Sequence, residues 1–155
     1  MDQGEERICA ADVARGVSRM FLQQELLCIA EVPLGNGRRV DLFALCPKGL
    51  VTIIEIKVSK ADLLGDTKWI EYLDYCDRYF WAVPQGFDLS LLSRTGMQPE
   101  RTGLIVADRY DAAIVREAMN IPLSPARRKV ETLRLARRAA RRLLGGIATE
   151  DEAAF

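Results

Sequence analysis

The chain has 155 residues, with 22 basic and 22 acidic side chains, 49% apolar residues and no histidine. That is one domain with enough apolar material for a core. The missing histidine excludes Ser-His-Asp and Cys-His catalysis, histidine-ligated zinc and histidine acid–base chemistry, so any hydrolysis here rests on carboxylates, lysine and a bound metal.

No run of about 18 apolar residues exists, and the first ten residues, MDQGEERICA, are acidic rather than a basic lead into an apolar segment. A cytoplasmic protein with no membrane segment is expected. Cys9, Cys28, Cys46 and Cys76 are far apart and form no CxxC pair. Reduced packing residues fit better than disulfides or zinc ligands.

Residues 1–9 read as a loose tail and 10–146 as one domain. Asp12 is placed to cap a helix running to about Gln24, with Val13, Val17, Met20 and Phe21 on its apolar face. A strand follows at Leu26–Pro33, closed by Gly35-Asn36-Gly37. Glu31 is its one charged residue. Two readings stand: an exposed edge position, or a carboxylate beside a metal.

The most informative stretch is Gly37–Lys57, GRRVDLFALCPKGLVTIIEIK. It reads as a β-hairpin with Pro47-Lys48-Gly49 as the connection, Gly49 supplying the positive φ that such turns need. The second arm, Leu50–Ile56, is apolar almost throughout, as a strand buried on both faces should be. With Cys46 facing Leu50, counting outwards sets 44 opposite 52, 42 opposite 54 and 41 opposite 55. Asp41 and Glu55 become cross-strand neighbours, about 4.5–5.5 Å apart at Cβ. Lys57, two residues on, emerges on the same face. Like charges so placed destabilise a sheet, and a hard divalent cation between them reverses that cost.

Beyond the hairpin, Asp66 is a good N-cap for a helix to about Cys76, in which Trp69, Tyr72 and Cys76 form one stripe and Ile70 and Leu73 its neighbour. Both stripes suit packing on the sheet. Lys60, Lys68 and Trp69 are alternatively placed to approach a phosphodiester backbone. Arg78–Val83 and Gly103–Ala107 read as two further strands, with a short helix at Leu89–Leu92 between them. The helix between the third and fourth strands makes those two parallel. The last element is a helix from Pro125 to Leu144, with Ser124 as N-cap and Gly145-Gly146 as stop. Val130, Leu133, Ala136, Ala140, Leu143 and Leu144 are its expected apolar face. Its other sides carry eight basic residues opposed only by Glu131. A solvated face and a nucleic-acid contact both account for that density. An acidic tail, 147–155, closes the chain.

Glu-x-Lys by itself carries little information. Its context carries more: a buried strand, an acidic residue across the hairpin, a helix before and another after. That order resembles the PD-(D/E)xK nuclease superfamily. Over residues 31–84 the chain looks more narrowly like the MmcB family of bacterial DNA-repair proteins, described as candidate endonucleases tied to the mitomycin C response. The resemblance implies an α/β fold with a restriction-endonuclease-like core, a central mixed sheet of about five strands flanked by helices. It implies phosphodiester hydrolysis of DNA with Mg²⁺ or Mn²⁺ held by Asp41, Glu55 and the Ile56 backbone carbonyl, with Glu31 as an extra member. Lys57 would orient or help deprotonate the attacking water and stabilise developing charge. Arg39, Lys60, Lys68, Trp69, Tyr72, Arg137, Arg138 and Arg141 are the expected DNA contacts. Repair proteins are further expected partners, and two-strand cutting would need a dimer or a second nick. The competing reading is a nuclease-fold module that binds DNA or a repair partner without cutting.

Overall fold

The computed structural model describes residues 6–145. Its order is α1 (Ala10–Gln23), β1 (Leu27–Pro33), β2 (Arg39–Leu45), β3 (Val51–Ile56), α2 (Lys60–Gly65), a 3-10 segment (Trp69–Tyr75), β4 (Arg78–Pro84), two short 3-10 turns, β5 (Gly103–Ala107), β6 (Ala112–Arg116) and α3 (Pro125–Gly145). The strands form one mixed sheet in sequence order. β1–β2, β2–β3 and β5–β6 are antiparallel, while β3–β4 and β4–β5 are parallel. The α/β class and the mixed sheet flanked by helices are as expected. The sheet has six strands rather than five, because the short alternating run Ala112–Arg116 adds an edge.

Two apolar layers cover the sheet. α1 lays Val13, Val17, Met20 and Phe21 over Leu42, Ala44, Ile54, Phe80, Ala82 and Ile105. On the other face Phe43, Ile53, Tyr79 and Trp81 pack under Leu63, Trp69, Leu73 and Leu92. Trp69, Tyr79 and Trp81 meet with ring centroids 4.9–5.5 Å apart, mostly edge to face, a geometry that adds to simple area burial.

Three local expectations are corrected. Asp12 is not the cap of α1 but its third residue; Cys9 is the cap, and its N–H donates to Asp12 Oδ2 at 2.9 Å. The helix expected from Asp66 to Cys76 is instead the 3-10 segment Trp69–Tyr75, and the α-helix of this region, α2, comes before it, capped by Ser59. Asp66 still organises that segment, with its Oδ1 accepting the N–H groups of Lys68 and Trp69 at 2.9 and 3.1 Å. The tighter coil turns Ile70 out to solvent. The third correction concerns α3, whose expected apolar face is exposed: its buried residues are Glu131 and Leu135. The helix is fastened by Arg128, which grips the fully buried Asp77 carboxylate through both terminal nitrogens and also donates to the Gly49 carbonyl.

Candidate active site

The hairpin register is the one that places the site. Gly49 takes φ +83, the Cys46 N–H donates to the Leu50 carbonyl, and Ala44 faces Thr52 and Leu42 faces Ile54. One step further sets Asp41 against Glu55. Each carboxyl is held by the other strand: the Asp41 N–H donates to Glu55 Oε1 at 3.0 Å, and the Ile56 N–H donates to Asp41 Oδ2 at 2.8 Å. The Lys57 N–H donates to the Ala82 carbonyl at 3.0 Å, which extends the β3–β4 pairing through the lysine.

Burial dominates the electrostatics. Glu55 is 4% exposed and Lys57 7%, while Asp41 is half-buried. Loss of water pushes the Glu55 carboxyl up to about 9, with the Asp41 charge adding to it. Asp41 is also raised by burial, against the opposing pull of the Ile56 N–H, the Lys57 charge and a hydrogen bond with the Glu55 carboxyl. The pair thus favours one shared proton over two negative charges. Burial works against the Lys57 ammonium, but Asp66 Oδ2 at 2.8 Å and Asp62 Oδ1 at 3.8 Å outweigh it and hold the lysine above its ordinary value.

Of the expected site residues, the structure brings together Asp41, Glu55, Ile56 and Lys57. Glu31 does not join them as a third side chain. The register brackets it opposite Asp41, between Ala30–Leu42 and Val32–Val40, but it is exposed with φ +54. Among the described residues no group of three or more Asp, Glu or Cys side chains is arranged around one metal position. Trp69 is corrected from a DNA contact to a core residue. Tyr72 is also mostly buried; its hydroxyl donates to the Arg39 carbonyl at 3.4 Å and is pushed up to about 12 by burial and the charges of Glu55, Asp66 and Asp41. Arg39, Lys60, Lys68 and Arg137 are exposed, and Arg138 and Arg141 are half-buried.

Sequence reasoning missed Asp62 and Asp66, which take the lysine, and Arg142, whose Nη2 donates to the Glu31 carbonyl at 3.0 Å. That last bond sets the C-terminal part of the basic helix over β1, one strand from Asp41. Neither acid has a spacing signal, because the turn that returns them to Lys57 is not periodic. A cleft of about 940 Å³ opens along the same end of the sheet, lined by Ser59 and Lys60 after β3, Phe87 and Asp88 after β4, and Arg109 and Tyr110 after β5. It begins one residue past Lys57 and does not include the acidic pair.

The DNA repair protein MmcB-like family model matches residues 2–150, nearly the whole chain. The chain belongs to the MmcB-like DNA repair family. A role in DNA repair follows at that level. No curated protein matches the sequence significantly. Among solved structures, a protein of unknown function from Silicibacter pomeroyi is similar, with 41% identity and a TM-score of 0.81, over 100% of this chain and 99% of that one. Within this MmcB-like chain, no helix of the described residues is long and apolar enough to cross a membrane.

A divalent cation suits the donor set. Glu55 is buried and Asp41 half-buried, and a hard cation between two such carboxyls offers relief from their mutual repulsion. Mg²⁺ is commonly held by one or two carboxylates, with water and substrate phosphate completing the shell.

Proposed function

We propose that this MmcB-like chain is a metal-dependent deoxyribonuclease of DNA repair, in the manner of the PD-(D/E)xK nucleases and with a restriction-endonuclease-like core. The observation that carries the reading is the cross-strand pair Asp41–Glu55 with the Lys57 ammonium on the same face. Asp41 and Glu55 would hold Mg²⁺ or Mn²⁺, with the Ile56 carbonyl as a further donor. The ion when bound supplies Lewis-acid polarisation of a phosphoryl oxygen and a more acidic bound water.

The chain's own residues do the rest. Lys57, kept charged by Asp66 and Asp62, places a cation where negative charge grows on the scissile phosphate. This favours charge stabilisation over proton abstraction as its role. Arg39, Lys60 and Lys68 are exposed cations for backbone phosphates, and Arg142 adds charge over Glu31.

Two observations favour the second reading, DNA binding without cutting: Lys57 is already engaged by two carboxylates, and the acidic pair lies outside the cleft. Incubation of purified protein with nicked, flapped, branched and single-stranded DNA in Mg²⁺ or Mn²⁺ separates the two. The nuclease reading expects cleavage of at least one form, reduced by about 10²–10³ in Asp41→Ala or Lys57→Ala at a temperature where both variants keep the parent's circular dichroism. Absence of cleavage, with DNA affinity indifferent to Asp41→Ala, supports the binding module.

A further inference from the structure

The outward side of α3 is its apolar side. Ala126, Val130, Leu133, Ala140 and Leu144 follow at intervals of four, three, seven and four residues, with Arg137 in the remaining slot. That is the alternating three-and-four spacing of a coiled-coil seam. All six positions are exposed, Val130 at 50%, Leu133 at 55% and Leu144 at 60%. The helix docks on its own domain through the opposite side, where Glu131 and Leu135 are buried and Arg128 holds Asp77. A straight stripe of about 27 Å, from Ala126 to Leu144 at about 1.5 Å per residue, is therefore left without an intramolecular partner among the described residues.

Charge decides what covers it. The helix carries eight basic residues and one acidic residue, the buried Glu131. Lys129 borders the stripe and Arg137 interrupts it, while Arg134, also on the border, keeps its Nε 3.6 Å from Glu131 Oε2. A second copy packed here would set this basic border against itself, and like charges along a helix seam oppose pairing. Duplex DNA would match the basic charge but would leave Val130, Leu133 and Leu144 facing phosphates, which bind charge and hydrogen-bond donors rather than leucines. An amphipathic helix with apolar residues on its inner face and Asp or Glu on both shoulders satisfies both features at once.

We propose that the outer face of α3 is a docking surface for an acidic amphipathic helix of a partner protein. The surface is independent of the acidic pair and of whether the chain cuts DNA.

The test uses the full chain and a synthetic 21-residue heptad peptide, with Leu at its core positions and Glu at the flanking ones. Fluorescence anisotropy of the labelled peptide should report one-to-one binding that weakens as salt rises. The double variant Val130→Ser, Leu133→Ser keeps every charge and alters only exposed side chains, so its thermal transition should match the parent. It should lose at least tenfold in peptide affinity while its affinity for duplex DNA is unchanged. The same peptide with Lys in place of Glu should not bind. The proposal is overturned by no binding of the acidic peptide even at low salt, or by equal binding to the double variant. It is overturned equally if the double variant loses DNA affinity in parallel, which would make the face a nucleic-acid surface. Sedimentation showing a dimer of the parent that the double variant abolishes would assign the face to a second copy and overturn it as well.

Discussion

Asp41 and Glu55 are tied crosswise, each carboxyl accepting a backbone N–H from the strand that carries the other, at 3.0 and 2.8 Å. The arrangement fixes both side chains without neutralising either. Neutralisation is left to a proton or a cation, and this has a measurable consequence for stability.

The Glu55 carboxyl ordinarily loses its proton near 4.5 and in the fold keeps it to about 9. Between those values the folded state binds more protons than the unfolded one at this group, so the contribution of Glu55 to stability is fully present below about pH 4.5 and is lost as pH rises towards 9. Asp41, also raised, acts with the same sign. The melting temperature without divalent metal should therefore fall by about 5 °C or more between pH 5 and pH 9. Glu55→Gln keeps an oxygen for the Asp41 N–H and should flatten the slope. A melting temperature independent of pH in the parent would refute the shared proton.

A cation that replaces that proton must compete with it. Mn²⁺ or Mg²⁺ at about a hundred times its dissociation constant should stabilise the fold by about 2.7 kcal/mol. At one fixed metal concentration the gain should be larger at pH 8.5 than at pH 6, because metal binding displaces protons and the dissociation constant falls as pH rises. Asp41→Asn and Glu55→Gln should each abolish the metal-dependent rise in melting temperature. An equal rise in both variants would place the ion elsewhere.

Legibility in the sequence followed locality. The Asp41–Glu55 register could be counted because a three-residue turn and a period of two leave no slack once Cys46 faces Leu50. Lys57 came with it, two residues along the same strand. What sat across the turns was hidden. Asp66 reaches Lys57 only because the chain makes one short helix and then a 3-10 coil, and neither bend has a periodic signature. α3 was readable as a helix, with its start at Pro125, but not in its rotation. Amphipathicity predicts the buried side only when the domain itself supplies the cover. Here an ion pair at Arg128–Asp77 outweighed it and turned the leucines outward. β6 was missed because five residues with two alanines lack the apolar density of a buried strand.

Lys57 and Asp66 form a largely buried ion pair at 2.8 Å. Asp66→Asn can keep the two N–H bonds that organise the 3-10 segment while leaving the ammonium without its main counter-charge. Removing one member of a buried pair costs about 3–5 kcal/mol, so urea denaturation should show a loss of that order. Adding Lys57→Met should restore much of it, since the stranded charge is then gone. If the double variant is less stable than Asp66→Asn alone, the pair is not what holds this corner.

Asp77 has the same logic at larger scale. Its carboxylate is fully buried and accepts from the Val51 N–H at 2.7 Å, the Leu123 N–H at 2.9 Å and both Arg128 terminal nitrogens at 2.6–2.7 Å. Burial would raise its pKa, but the Arg128 guanidinium and the two N–H groups outweigh burial and hold it below 3.8. A depressed carboxylate contributes stability that is present above the unfolded value and is lost as pH falls through the folded one. Its effect therefore lies on the acid side, opposite in sign to that of Glu55. Asp77→Ala strands an arginine and two buried amides, and a loss of about 3–5 kcal/mol is expected. Because Arg128 is the clasp of α3, amide exchange along Pro125–Gly145 should accelerate more than exchange in α1, which packs on the other face of the sheet. Uniform acceleration across both helices would mean that Asp77 supports the whole fold rather than this one attachment.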